Sequence, residues 1–358
     1  MKNNWQIKKL GEICDKGSSN ISQNQLTKED GIYPIYGAGG LIKNISFFQQ
    51  DNDYIAIIKD GAGIGRVSLL PAKSSVIGTM QYIIPRDNIN IKFLYYIMNS
   101  FDFSKYKNGS TIPHIYFKEY SNEKFVIPSS PEQIKIVKIL DEVFDGIENA
   151  KENAKKNLQN SRELFRSYLD NLFVNSDKSW EKKTLDQISY NLDSKRIPIT
   201  KNVRDGGLIP YYGASGIVDY VAEYIFDEDL LCVSEDGANL LARKYPIAFS
   251  ISGKTWVNNH AHILRFENMT SQKFVELYLN SIRLDDFISG AAQPKLNQTM
   301  LNKIPIPFPS LSEQKSMVKK LDALSSQTKK LEEIYKKKIA DLDELKKSVL
   351  KKAFNGEL

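Results

Sequence analysis

The spacing of apolar side chains along this chain alternates between two regimes, and each regime occurs twice. Short runs such as "YIAII", "VSLL", "SSVIG" and "QYIIP", and later "LLCVS" and "HAHILRF", are bounded by Gly, Pro, Asp and Asn. Such runs predict short strands joined by tight turns. Each strand-rich region also contains a stretch, "IKFLYYIMNS" or "QKFVELYLNSI", that returns an apolar residue every three or four positions and predicts a single helix. The period then changes. From 132 to 173 there is no proline, and Leu140, Phe144, Ile147, Ala154, Leu158, Phe165, Tyr168 and Leu172 keep a 3/4 alternation, with Lys151 and Ser161 in the remaining slots. From 313 to 354 the same spacing runs through Leu324, Thr328, Leu331, Tyr335, Leu342, Leu345 and Val349, with Lys338 between. Sustained over about five heptads, this is the signature of a coiled-coil seam. Ser or Pro with Glu just before each run supplies a helix start.

The two halves also repeat residue for residue. "PIYGAGG" from Pro34 returns as "PYYGASG" from Pro210, 176 positions later. Trp5, Leu10 and Ile13 recur as Trp180, Leu185 and Ile188, and "YIAIIKDGAGIGR" has its counterpart in "LLCVSEDGANLLAR". Gly109 and Pro113 of "GSTIPHI" match Gly290 and Pro294 of "GAAQPKL". The patterns divide the chain into a strand-rich region at 1–130, a long helix at 131–175, a second strand-rich region at 176–311 and a second long helix at 312–358. The expected class is α+β in tandem repeat. A helix of about 42 residues spans ~63 Å at 1.5 Å per residue, too long to bury in a region of this size, so it is expected to act as a strut. Antiparallel pairing of the two seams is the simplest arrangement and would give pseudo-twofold symmetry within one chain. Twofold devices read DNA half-sites spaced by whole turns of ~34 Å. The segments between the shared positions differ, "GAGIGRVSLLPAKSSVIGTM" against "GANLLARKYPIAFSISGKTWVNNH", so two similar frames carry unlike faces. A bipartite, asymmetric target is the expectation.

Composition narrows the classes. The net charge is +6 with a pI near 8.9, compatible with a polyanion partner, and 18 Tyr and 17 Phe argue against a disordered chain. Cys14 and Cys232 lie in no Cys-x-x-Cys or Cys/His spacing, which disfavours disulfide frameworks, zinc sites and thiol catalysis. No signal-peptide core or run of ~18 apolar residues occurs, so a cytoplasmic chain with no membrane partner is expected. The second long helix carries 12 Lys and 6 acidic residues between 315 and 354, whereas 132–173 has 7 basic and 8 acidic. That excess fits a solvated face, a cover over a DNA spacer, or a docking face for partner subunits.

Several motifs imitate catalytic ones. "GAGIG" at 61–65 could cradle a nucleotide or S-adenosylmethionine, but "RVSLLP" follows instead of a helix and the copy "GANLL" lacks the glycines. "SGKTW" has the end of a phosphate loop, yet Ala248 stands where its first glycine belongs. No Asn/Asp-Pro-Pro-aromatic tetrapeptide exists to hold a target adenine. His260 and His262 are two apart, hence on one side of a strand, and the remaining histidine is His114 in the other half. No resident cofactor, metal or catalytic residue is therefore expected. The loops "KDGAGIGR", "YKNGSTIPH", "ARKYP", "SGKTW", "NNH" and "GAAQPK" hold the candidates for DNA contact: Lys59, Arg66, Lys107, Ser110, Thr111, His114, Arg243, Lys244, Lys254, Asn259, His260, Gln293 and Lys295. Arg grips guanine and Asn or Gln grips adenine bidentately, while Lys and Ser mostly position on phosphate.

This organisation, with "RDGGLIPYYGASG", "TWVNNHAHIL", the Glu-Gln helix starts, "SRELFRSYLDNLF" and "SVLKKAFNGEL", resembles the DNA-specificity subunit of type I restriction-modification systems over essentially the whole chain. The resemblance implies two target-recognition domains, each taking half of a split site on double-stranded DNA, and paired helices that set the gap. It further implies two docked adenine-N6 methyltransferase subunits and a restriction/translocase subunit, with S-adenosylmethionine and ATP/Mg bound only by those partners. The first half departs more, with "TMQYIIP" where the second has "NNHAHIL". Two rivals stay open at this level: a stand-alone enzyme using the glycine loops, and a structural coiled-coil adaptor.

Overall fold

A computed structural model describes residues 5–174, 180–290 and 292–357. The chain divides into two compact units, one of Met1–Lys155 with Lys336–Leu358 and the other of Lys156–Tyr335. Each unit thus contains one strand-rich lobe and a stretch of both long helices. The expected boundary between 175 and 176 and the residues Ala291 and Leu358 of the quoted motifs lie outside the described residues.

In the first unit a four-stranded antiparallel sheet has the order Cys14–Ser18, Met80–Pro85, Tyr54–Ile58, Val67–Leu70. A smaller sheet of Gly40–Ile45, Tyr33–Gly37 and Ser75–Val76 contains a parallel pairing, Ile35 opposite Ser75. The continuous apolar run Tyr54–Ile58 is explained by burial on both faces. Ile55 and Ile57 join Phe93, Leu94 and Ile97 of the helix Ile91–Asn99, whereas Tyr54, Ala56 and Ile58 pack with Val76, Met80 and Tyr82. The second unit repeats this plan: Tyr190–Asn191, Ala261–Arg265, Leu230–Ser234, Ala248–Ile251 in one sheet, with Tyr211 parallel to Trp256 in the other. Leu231 and Val233 pack toward the helix Met269–Ser281; Leu230 and Cys232 face the second sheet.

The duplicated glycine turn closes a hairpin in each lobe. Gly37 pairs with Gly40 and Gly213 with Gly216, and the second glycine of each pair has φ of +108° or +119°, a conformation that favours glycine.

The long helices run Ser130–Val174 and Leu311–Phe354. Their starts show why Glu-Gln recurs. Ser310 N–H donates to Glu313 and Ser310 Oγ accepts from Glu313 N–H, a capping box, while at the other start Ser129 Oγ donates to the Glu132 carboxylate; in both, the next residue is buried and anchors the helix to its lobe. Gln133 donates to the carbonyls of Asn88 and Pro128 and accepts from Asn90 N–H; Gln314 donates to Pro309 O and accepts from Ser271 Oγ.

Within each unit the two helices run in opposite directions. In the first, Glu148 meets Lys346 at 3.0 Å and Lys151 meets Asp343 at 2.5 Å; in the second, Arg162 meets Glu332 at 3.2 Å, and Leu169 and Phe173 share a cluster with Leu321 and Met317. The seam departs from the expected register in three places. Tyr168, Leu331 and Leu345 are exposed, and Leu169 and Phe173 are buried instead. A helix at 3.6 residues per turn drifts off a 3.5 repeat, and the last turns of the first long helix bury Leu169 and Phe173 in a cluster shared by their lobe and the second long helix.

Each lobe receives the C-terminal end of a long helix. Phe354 meets Phe93 edge-to-face in the first unit and Phe173 meets Phe274 in the second, both at 5.6 Å and 70°. No described helix is long and apolar enough to cross a membrane.

Candidate nucleic-acid interface

Three loops converge in each lobe. The sheet's central strand ends in an Asp-Gly turn, Asp60-Gly61 or Asp236-Gly237, with glycine φ of +97° or +105°. Onto this turn docks a closed loop. In the first unit Asn108 and His114 exchange backbone hydrogen bonds at 2.8 and 2.9 Å, Gly61 N–H donates to Pro113 O, and Ile115 N–H donates to Lys59 O. In the second unit Ser289 exchanges with Lys295, Gly237 donates to Pro294 O, and Leu296 donates to Glu235 O. The hairpin turn is the third member, since Arg66 donates to Ala38 O at 3.2 Å and Ser234 Oγ donates to Ala214 O.

Closure of the loop depends on one glycine per lobe. Gly109 and Gly290 have φ of +81° and +83°, and an added Cβ would lie 2.5 Å from the carbonyl oxygen of Ile112 or Gln293. Gly290→Ala is therefore expected to cost about 1–3 kcal/mol of strain and to loosen the loop, seen as faster amide exchange at Ser289 and Lys295. The same change at Gly206, where the added Cβ meets nothing within 4 Å and φ is not positive, serves as the control.

The side chains carried by these matching backbones differ. In the first lobe Ser110, Thr111 and Ile112 form an exposed tip, and Lys107 is exposed at its foot. Lys59 pairs with the adjacent Asp60, His114 packs edge-to-face on Tyr116 at 5.0 Å, and Lys118 lies over the same ring. In the second lobe Gln293 is exposed, Lys295 Nζ lies 3.2 Å from Glu235, and His260 Nδ1 lies 2.8 Å from Asp236, beside exposed Asn259. Thus Lys59, Arg66, Lys107, Ser110, Thr111 and His114 gather around one turn, and Asn259, His260, Gln293 and Lys295 around its counterpart.

Three candidates sit elsewhere. The Arg243 guanidinium donates to Leu279 O and Ile282 O, where the helix Met269–Ser281 ends, and burial lowers its pKa. It braces that helix rather than reaching outward. Lys244 is exposed next to Tyr245, and Lys254, over the Tyr224 ring at 4.7 Å, starts the strand whose far end leads to Asn258. His260 and His262 do not share a strand face as expected: His260 lies in the turn before the strand Ala261–Arg265, and its ring turns to Asp236 while that of His262 turns to Asp193. Gly61–Gly65 is a turn that leads into the strand Val67–Leu70, and its copy opens the four-residue helix Asn239–Ala242. Burial pushes the Cys14 thiol up to about 12 and that of Cys232 further still.

Sequence reading missed a buried ionic network behind the second loop. Arg196 bonds Glu235 at 2.6 Å and Asp193 at 3.4 Å, and His262 lies 2.5 Å from Asp193. Burial alone would raise both carboxyl groups, but hydrogen bonds and opposite charges outweigh it and hold Asp193 and Glu235 below their usual range. Asp193, Glu235 and His262 are the one grouping among the described residues whose ligand-type atoms converge, within 4.8 Å, yet Arg196 already supplies the positive charge there. The only signal in the sequence was charge inside apolar runs, at "NLDSKRIP" and "LLCVSED".

Comparison with known proteins fits this geometry. A family model described as the type I restriction modification DNA specificity domain matches residues 2–158 and again 177–340. A Haemophilus influenzae protein described as a putative type I restriction enzyme specificity subunit is 33% identical over 202 residues, 51% of each chain. The EcoDI specificity subunit of Escherichia coli is 22% identical over 402 residues, 99% of this chain and 88% of that one. A structure solved in work on assembly and conformational transition of the type I restriction-modification system shares the fold with a TM-score of 0.77 at 14% identity, covering 100% of this chain and 99% of that one. With both of its repeated lobes matched, the chain belongs to the type I restriction-modification DNA specificity family.

Proposed function

We propose that this chain is the DNA-recognition subunit of a type I restriction-modification complex, in which each lobe reads one half of a split, asymmetric site. The observation that carries the reading is the pair of matching loop clusters with unlike side chains. The same backbone frame presents Ser110, Thr111 and His114 in one lobe and Gln293, Lys295 and His260 in the other. Identical frames with different hydrogen-bonding groups read different bases. The long helices dock two methyltransferase subunits and, for restriction, a translocase-nuclease subunit, and they fix the spacing of the two readers. Methyl transfer and ATP chemistry belong to those partners, and this chain supplies sequence choice alone.

Binding of the complex to methylation-mapped DNA over a salt series tests this reading. The cognate site is expected to exceed unrelated DNA by roughly 10³-fold or more at physiological salt, with log affinity falling linearly in log salt as phosphate counterions are released. Equal binding to unrelated DNA, or binding of S-adenosylmethionine or ATP by the isolated chain, would count against it.

A further inference from the structure

Both ring nitrogens of His262 face acceptors. The side chain is 1% exposed, with Nε2 2.7 Å from the carbonyl oxygen of Leu296 and Nδ1 2.5 Å from a carboxylate oxygen of Asp193. A backbone carbonyl only accepts, so Nε2 must carry a proton. The short contact at Nδ1 needs a second proton, on the ring or on Asp193. The surroundings of Asp193 place it on the ring: its other oxygen accepts Ile263 N–H at 2.8 Å, and Arg196 approaches the oxygen that faces His262 at 3.4 Å, both favouring the carboxylate.

Leu296 is the residue immediately after the closed loop, and its own N–H is held by Glu235 O. The ring therefore ties the exit of the loop that carries Gln293 and Lys295 to the lobe's interior. The first lobe handles the corresponding position differently. Gln81 stands opposite Ile57 on the paired strand as His262 stands opposite Val233, and it accepts from Tyr120 Oη at 2.9 Å, a hydrogen bond with no charge.

We infer that His262 is a buried imidazolium that acts as a positioning residue for the second recognition loop, so that the second half-site, and not the first, is read in a proton-dependent way. This rests on the proposed DNA-recognition role for its functional half, while the protonation state stands on geometry alone. The charged and titratable groups around the ring are Asp193, Glu235, Arg196 and Lys295, with Cys232 on the adjacent strand and the His260–Asp236 pair at the turn before it. The sign follows from Asp193. Asp193 is held below its ordinary range, so its contribution is present above that range and is lost as pH falls through its folded-state value. Discrimination at the second half-site should therefore weaken as pH falls through the folded-state value of Asp193, while the neutral Gln81–Tyr120 contact gives the first half-site no such dependence from this position.

Two measurements test this. The chain has three histidines, so selective ¹⁵N labelling of the full chain, with His262→Gln for assignment, resolves the ring directly. Two protonated nitrogens at neutral pH are expected, and a neutral tautomer with one unprotonated nitrogen would overturn the inference whatever the chain binds. Second, the complex with its methyltransferase partners is assayed against DNA carrying single substitutions in either half-site. His262→Gln and the isosteric Asp193→Asn are each expected to cut discrimination at the second half-site roughly tenfold or more, flatten its pH profile and leave the first half-site unchanged. Equal loss at both halves, or an unchanged pH profile, would contradict the positioning role. If the wild-type complex shows no sequence preference, the DNA-recognition reading falls and with it the positioning role, while the nitrogen spectrum still decides the ring's charge.

Discussion

Replacing Leu350 and Phe354 together by alanine is expected to unfold the first unit and leave the second folded. Both residues belong to the last turns of the chain's final helix, yet they cluster with Leu10, Phe93 and Leu140 of the first unit. Leu350 is buried and Phe354 sits edge-to-face on Phe93. Truncating a buried Leu or Phe to Ala costs about 2–5 kcal/mol each. The pair is near enough to couple, so the sum is approximate, but it is comparable with the ~5–15 kcal/mol stability of a whole domain. Amide exchange should report it, with protection lost in Tyr54–Ile58 and Met80–Pro85 and retained in Leu230–Ser234 and Ala261–Arg265. The mirror substitution, Phe173→Ala, should weaken the second unit instead, because that ring packs on Phe274. Loss of protection in both units together, or in neither, would show that the helix ends do not complete the lobes.

The same contacts explain why much of the fold was legible in the sequence. Two short apolar runs buried on both faces, "YIAII" and "LLCVS", mark the centre of each main sheet, and periodicity alone located the helices at Ile91–Asn99 and Met269–Ser281. The proline-free stretches placed the long helices to within a few residues, because Ser-Glu-Gln or Pro-Glu-Gln is a physical start signal whose glutamine has a buried job. What periodicity could not supply was the seam's facing partner. A 3/4 alternation drifts around a helix of 3.6 residues per turn, and so it assigns Tyr168, Leu331 and Leu345 to a seam although they are exposed.

The candidate site was legible as loops and only partly as side chains. Repeated Asp-Gly and Gly-x-x-x-Pro segments pointed to turns that had to meet, and backbone hydrogen bonds bring them together in both lobes. Arg243 shows the limit of such reading. An arginine in "ARKYP" has the right charge for DNA, but its position after a four-residue helix turns it back onto the carbonyls at Leu279 and Ile282. The network of Asp193, Arg196, Glu235 and His262 was missed for a related reason. Its members are 69 positions apart at the widest and share no sequence spacing, so only folding makes them neighbours.

The second large effect concerns the choice of target. Each unit holds its own loop cluster, and the contacts that shape the cluster around Asp60-Gly61, from the hairpin turn at Gly37–Gly40 to Ile115, all lie within the first lobe. An exchange of the first lobe should therefore carry its whole reading surface with it. The incoming lobe must keep an apolar seat for Leu350 and Phe354, or the chimaera will fail for reasons of stability rather than recognition.

The most direct test is accordingly to exchange residues 1–130 for the corresponding lobe of a relative with a different target and to map the methylated adenines produced by the assembled complex. One half of the bipartite sequence should change completely while the other half stays unaltered. A change in both halves, or in neither, would contradict the claim that each lobe reads its own half.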